Sequence, residues 1–185
     1  LFRSDVCRSA AEQEKLLLCA YAYSASEENA SGSTTVTAPT LGSSGILPAL
    51  VCYYHRILGY SREQLRNGLK VAGLFGNLIK ENATISGAQG GCQAEIGAAV
   101  AMGAAMAAYL RGQTTHQIEY AAEIGIEHHL GLTCDPVGGY VMIPCIERNA
   151  VGVLRSIDAA ILAEGISDLR KHKVSFDMEV NKIGR

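Results

Sequence analysis

The segment from Gln93 to Leu110 constrains the fold of this chain most, because it is rich in alanine and glycine on every side of a predicted helix. Such a helix has no polar face to turn toward water, which is typical of a helix buried against close neighbours. The longest uncharged apolar run lies between Glu95 and Arg111 and is 15 residues long, whereas a helix that spans a bilayer needs about 20. The segment therefore predicts a central helix of a packed domain and excludes a membrane protein.

Helical patterns also dominate the rest of the chain, and strand patterns are few. Two stretches resemble capping boxes, in which a Ser or Thr is followed three residues later by Gln. The other predicted helices cover residues 9–28, a stretch after the cap at 61–64, a stretch from the cap at 114–117 to about Leu130, residues 146–164, and a short helix capped by Ser175. Residues 34–37 and 140–143 are β-branched or apolar enough for strands, but each is short and isolated. We therefore predict one all-α, bundle-like domain over residues 1–185.

The composition is typical of a globular protein and argues against nucleic-acid binding. Hydrophobic residues make up 48% of the 185 residues and charged residues 18%, which is typical of a compact globular protein. Sixteen basic residues against eighteen acidic ones give a net charge of −2, with no basic tract. Nucleic-acid binding is therefore not expected, since it depends on clustered positive charge.

The ends of the chain and its cysteines indicate where it works. The chain begins at Leu1 without an initiator Met or a signal peptide, and it stops directly after a predicted helix. We therefore expect a subunit or a portion of a longer protein. Six cysteines without a secretory signal indicate a reducing compartment, the cytoplasm, where thiols serve metals or catalysis more often than disulfides.

Four loops have the composition of a binding site, because they are rich in Gly, Ser and Pro. They cover residues 38–45, 86–93, 133–139 and 144–149, and the first, second and fourth lead directly into helices. Glycine allows the backbone to approach a ligand, and a helix N-terminus favours an anion there. We expect these loops to converge at one end of the helical scaffold.

Three cysteines lie in these loops and are candidate metal ligands. Cys92 and Cys145 stand at predicted helix starts, where the helix dipole lowers the pKa of a thiol, and Cys134 precedes a rigid Asp-Pro turn. Their spacing alone is weak evidence, because buried structural cysteines are common. Cys19 and Cys52, in apolar helical contexts, are expected to be core or interface thiols.

Longer sequence words in the same regions make the prediction more specific. The segments TAPTLGSSGILPALV (37–51), SGAQGGCQAEIGAAVAMGAAMAA (86–108) and EHHLGLTCDPVGGYVMIPCIERNA (127–150), with SEENASG (26–32), resemble the iron–sulfur-dependent L-serine dehydratases, specifically their α subunit or α domain. The resemblance implies a [4Fe–4S] cluster held by Cys92, Cys134 and Cys145, with one iron left open as a Lewis acid. It implies conversion of L-serine to pyruvate and ammonia without pyridoxal phosphate. It also implies a β subunit or β domain as partner, in a homo- or hetero-oligomer.

This chemistry needs groups that bind the substrate and a base for its α-proton. Hydroxyl and amide groups in the loops suit a carboxylate, and the candidates are Thr40, Ser43, Ser44, Ser86, Gln89 and Asn149. Asn149, with Glu147 and Arg148, is equally a candidate for orienting Cys145 without binding the metal itself. His128 is the preferred base, because His129 falls on the apolar stripe of its helix; Glu95 and Glu127 are the rivals. For both histidines, hydrogen bonding to a backbone carbonyl is an equally good explanation.

Two other functions remain open. The first is a related lyase that acts on threonine or cysteine through the same cluster, since discrimination by one methyl group is worth only about 1–3 kcal/mol. A non-catalytic metal-binding module is the second alternative, and it predicts a fourth protein ligand. Such a ligand would have to be Cys7, Cys19 or Cys52, none of which lies in a Gly/Pro loop.

Overall fold

The computed structural model describes residues 9–133, 143–166 and 175–183, and these residues form an all-α fold. The helices are α1 (Ala10–Ala30), α2 (Ile46–Arg56), α3 (Arg62–Asn82), α4 (Gly87–Leu110), α5 (Thr115–Glu127), α6 (Ile143–Ile166) and α7 (Phe176–Ile183), with a 3₁₀ turn at Leu41–Ser43. No strand occurs in these ranges. Residues 34–37 are irregular, and residues 140–142 of the other strand candidate lie outside the described residues. The predicted fold class is confirmed.

Helix starts agree closely with the predicted caps. Ser61 and Gln64 form a capping box before α3, and Thr114 and Gln117 form one before α5. In each box the hydroxyl accepts the backbone N–H of the glutamine, and the glutamine side chain accepts the N–H of the capping residue. Two otherwise unpaired backbone groups are satisfied at each helix start.

The end of α5 differs from the prediction. The helix ends at Glu127, about three residues before the predicted end at Leu130. Its last carbonyls accept the N–H groups of His128 and His129 in a tightened turn, and Gly131 then adopts a left-handed φ of 88°. Glycine is the residue that enters this region without a steric penalty, so Gly131 ends the turn and not the helix itself.

α4 is the central helix, as its composition predicts. Every residue from Ile96 to Ala108 is buried, and the helix packs against α3, α5 and α6. Among the described helices, α4 is the one long and apolar enough by length and composition to cross a membrane. However, 78% of its most apolar window is buried inside the fold, so packing against neighbouring helices accounts for that composition.

Glycines set how closely the neighbours of α4 approach. A Cβ at Gly103 would lie 2.6 Å from Ser156 Oγ of α6 and 2.8 Å from Leu50 Cδ1 of α2. On α5, a Cβ at Gly125 would lie 3.1 Å from the Cα of Ala101. These distances leave no room for a methyl group without moving a neighbour, so the glycines permit the tight packing of three helices on α4.

We expect Gly103→Ala to destabilise the domain by about 1–3 kcal/mol, because overpacking a dense core forces its neighbours apart. Thermal unfolding followed by circular dichroism would show a lower Tm. Gly73→Ala is the matched control: it lies inside α3 with nothing within 4 Å of an added Cβ. That change is expected to stabilise the domain by about 0.5–1 kcal/mol. Equal Tm changes in both variants would contradict the packing argument.

Candidate active site

The site lies where the N-terminal ends of α4 and α6 meet the 3₁₀ turn that precedes α2. Asn149 of α6 joins the start of that helix to the loop that contains the 3₁₀ turn, and it is only 1% exposed. Its side-chain nitrogen donates to the carbonyls of Gly42 and Cys145, each at 2.9 Å, and its oxygen accepts the N–H of Gly45 at 2.9 Å. Both amide hydrogens are therefore committed to the protein, and Asn149 holds the loop of residues 40–45 against the start of α6.

Glu95 lies on the first regular turns of α4, between two glycine-containing loops. Thr40 donates a hydrogen bond from Oγ1 to Glu95 Oε1. A Cβ at Gly87 would lie 2.8 Å from Oε2, and one at Gly42 would lie closer still to Oε1. Side chains at these two positions would therefore displace the carboxylate, so the loop glycines make room for Glu95.

Cys92 begins the regular part of α4. Gly91 has a positive φ of 72° and breaks the helical geometry just before it, which explains why the sequence pattern places the helix start near residue 93. The Cys92 side chain is buried, and its sulfur accepts a hydrogen bond from Arg148 Nη1 at 2.8 Å. The same nitrogen donates to the carbonyl of Thr133 at 2.9 Å. One guanidinium thus holds Cys92 and the residue immediately before Cys134.

Two further bonds fasten the segment before Cys134 to α4. The backbone N–H of Gln93 donates to the carbonyl of Leu132 at 3.0 Å, and the side-chain oxygen of Gln93 accepts the N–H of Gly131 at 2.9 Å. Cys134 itself lies outside the described residues. The described chain leading to it is therefore held beside Cys92 up to residue 133.

Burial, not the helix N-terminus, sets the direction in which the pKa of the Cys92 thiol moves. Burial raises the pKa of the Cys92 thiol, and the charge and hydrogen bond of Arg148 oppose that rise without overcoming it. Cys145 and Glu95 raise the same pKa further by electrostatic repulsion. The expectation that the helix start lowers the pKa of this thiol is therefore wrong for Cys92.

Cys145 lies in the first turns of α6, which begins three residues earlier than predicted. It is half-buried and lines a cavity of about 470 Å³. Ser44, Gly42 and Asn149 line the same cavity. Ser43 is fully buried behind them and bonds to Thr40, with the two hydroxyl oxygens 3.2 Å apart. The structure thus brings together Cys92, Cys145, Glu95 and the predicted residues of the 40–45 loop.

Other predicted site residues lie further from this group. Gln89 is exposed, and its side-chain oxygen accepts a hydrogen bond from Thr84 Oγ1 at 2.8 Å. Ser86 is the N-cap residue of α4, but its hydroxyl makes no capping bond. Glu127, the last residue of α5, is exposed. Their roles in binding or catalysis remain predictions.

The two histidines and Arg148 lie outside the lining of the 470 Å³ cavity. His128 is exposed and lines a second cavity of about 330 Å³ with Arg148 and Arg155. Its Nδ1 lies 3.0 Å from the carbonyl of Ile124, while Nδ1 of buried His129 lies 2.7 Å from that of Gly125. Because a carbonyl only accepts, each Nδ1 carries the proton. Burial lowers the pKa of His129, so this side chain is neutral at neutral pH.

Within the described ranges, no three His, Cys, Asp or Glu side chains group closely enough to hold a metal ion. The third predicted ligand, Cys134, falls outside those ranges. The described donors nevertheless fit a thiolate-bound cluster in two respects. Cys92 interacts electrostatically with Cys145, and Arg148 ties the residue before Cys134 to the Cys92 sulfur.

Two functional candidates were missed or understated by sequence reasoning. Ser26, at the C-terminal part of α1, lines the 470 Å³ cavity although it is far from the Gly-rich loops in sequence. The only signal is its place at the start of the SEENASG word. Arg148 was expected merely to support Cys145, whereas it contacts the sulfur of Cys92. Its position in the word CIERNA does not reveal a partner 56 residues away.

Comparison with known proteins identifies the family of this chain. The family model described as serine dehydratase alpha chain matches residues 3–184. The L-serine dehydratase of Streptomyces coelicolor is 49% identical over 158 residues, which cover 85% of this chain and 34% of the relative. L-serine dehydratase 1 of Escherichia coli is 51% identical over 144 residues, which cover 77% of this chain and 32% of the relative. The chain thus spans about a third of the length of the curated relatives it matches.

Proposed function

Because this chain belongs to the serine dehydratase alpha chain family, we propose that it forms the catalytic part of an enzyme that converts L-serine to pyruvate and ammonia. The observation that carries the proposal is that Cys145 lines the 470 Å³ cavity with Gly42 and Ser44, while Thr40 of the same loop bonds Glu95 of α4, the helix that also carries Cys92. Relatives named L-serine dehydratase, about half identical over most of this chain, support the substrate.

We propose a [4Fe–4S] cluster as the cofactor, held by Cys92, Cys134 and Cys145. When bound through three thiolates, such a cluster has an iron free to act as a Lewis acid toward the β-hydroxyl of the substrate. Arg148 contributes positive charge beside the thiolate of Cys92 and fixes its direction. Pyridoxal phosphate has no part in this proposal.

We favour Glu95 as the base that removes the α-proton. Thr40 occupies Oε1, which leaves Oε2 to accept the proton. Glu95 lies near Cys92, whereas His128 lines a different cavity. If His128 is the base instead, its Nε2 is the nitrogen that accepts the proton, because Nδ1 donates to Ile124.

The experiment is anaerobic reconstitution with iron and sulfide, followed by measurement of pyruvate release from L-serine. It is performed with the chain alone and with an L-serine dehydratase β chain added, since we propose that a β subunit or β domain completes the enzyme. L-threonine and L-cysteine are tested in parallel, and faster turnover of either would favour the related lyase. An iron–sulfur spectrum without turnover of any of the three would favour a non-catalytic module.

We expect Arg148→Met to lower the affinity for iron about tenfold, because residues that support metal ligands typically contribute 10- to 100-fold to affinity. The variant loses the bonds to Cys92 and to the carbonyl of Thr133 together. Arg155→Met is the control, since it removes a positive charge from the same helix and an exposed pair with Asp158. The loss of visible absorption as an iron chelator is titrated into the reconstituted protein measures the affinity. A control that loses as much affinity as Arg148→Met would mean that charge alone matters.

A further inference from the structure

The 470 Å³ cavity is lined by two hydroxyl groups that accept or donate no hydrogen bond within the described part of the chain. Ser26 and Ser44 line the cavity and are only 5% and 1% exposed. Neither Oγ atom has a hydrogen-bond partner among the described residues. Buried hydroxyls without partners are rare, because leaving water without a replacement bond costs free energy. Two of them at one cavity point to a ligand that completes their hydrogen bonding.

The charges around the cavity indicate which chemical group of a ligand it binds. Ser44 lies two residues before the start of α2, and Cys145 lies in the first turn of α6. The N-terminal ends of both helices therefore face this region, and each carries partial positive charge. No Lys, Arg or His is among the described residues that line the cavity. Neutral O–H donors beside two helix N-termini suit a carboxylate, whose oxygens accept hydrogen bonds.

We propose that Ser26 and Ser44 donate hydrogen bonds to the carboxylate of a small α-amino acid bound in this cavity. The inference rests on the proposed function and deepens it, since it identifies where the substrate is anchored and adds Ser26 to its binding groups. Gly42 lines the cavity on one side and abuts the carboxylate of Glu95 on the other. An amino acid anchored by its carboxylate is thus held next to the favoured base and to Cys145. The cavity volume lies within the range of about 300–1,000 Å³ typical of small-molecule sites.

The test uses Ser26→Ala and Ser44→Ala in the reconstituted protein with the β chain added. Kd by calorimetry and KM for L-serine are both expected to rise about 10- to 100-fold, the range for losing a hydrogen bond to a charged group. Tm is expected to stay constant or rise, because each change removes a buried hydroxyl that has no partner in the described ranges. The wild type is expected to bind L-serine more tightly than L-serinamide, which lacks the carboxylate, and the variants are expected to lose this preference.

Thr37→Val is the matched control, because Thr37 Oγ1 is also buried without a partner among the described residues but does not line the cavity. It should leave Kd and KM unchanged. A fall in Tm with unchanged Kd in the two serine variants would assign the hydroxyls a structural role. That result would overturn the proposed carboxylate site without contradicting the proposed function. Carboxylate-dependent binding without turnover would support the site and contradict the proposed function. A wild type that neither binds nor converts L-serine would contradict both.

Discussion

Cys92→Ser is expected to abolish both iron retention and L-serine turnover. The reconstituted wild type should hold about four iron atoms per chain with the visible absorption of an iron–sulfur cluster. A serine hydroxyl is a poor ligand for this iron, because it does not ionise at neutral pH as a thiol can. Cys92 is buried and bonded to Arg148, so no neighbouring water can take its place easily. Iron analysis, absorption and pyruvate release from one sample measure the effect.

Cys52→Ser is the control for this experiment. Cys52 is a half-buried free thiol of α2 and is not among the predicted site residues. It should retain the iron content and activity of the wild type. If Cys92→Ser bound as much iron as the wild type, the ligand assignment of Cys92 would be wrong. If both variants lost iron, general destabilisation and not ligand loss would explain the result.

The sequence predicted those parts of the fold that depend on local signals. The capping boxes at Ser61 and Thr114 fix the starts of α3 and α5 because their hydrogen bonds join residues three apart. The burial of α4 follows from its composition, since small apolar residues on every side leave it no solvent-facing stripe. The resemblance to serine dehydratases is also confirmed. It was recognisable from the sequence because its motifs are continuous stretches of residues.

The site was harder to predict, because its contacts join residues far apart in the chain. The bond between Arg148 and Cys92 links residues 56 positions apart, and that between Asn149 and Gly45 spans 104. Helix position predicted a lowered pKa for Cys92, but the cost of burial is set by packing around the thiol and has the opposite sign. Likewise, the absence of a partner for Ser26 within the described residues is a property of its surroundings in the fold.

Asn149→Asp is expected to give the largest loss of stability, about 3–5 kcal/mol, which is the cost typical of an uncompensated buried charge. The substitution keeps the size of the side chain but replaces the NH₂ group with an oxygen. That oxygen would face the carbonyls of Gly42 and Cys145, which only accept hydrogen bonds. Two bonds would become repulsive contacts at a position that is 1% exposed. Thermal unfolding should show a Tm lower by about 10 °C.

Asn67→Asp separates this effect from the chemistry of the substitution itself. Asn67 lies on the accessible side of α3, and its side-chain oxygen accepts a hydrogen bond from Lys70 Nζ at 3.1 Å. A carboxylate there gains an ion pair with Lys70, so the change should alter stability by less than about 0.5 kcal/mol. If Asn149→Asp lowered stability as little as Asn67→Asp, the hydrogen bonds of Asn149 would not be what joins the 40–45 loop to α6. A large loss only at Asn149 would support the role of its amide hydrogens in holding the 40–45 loop against α6.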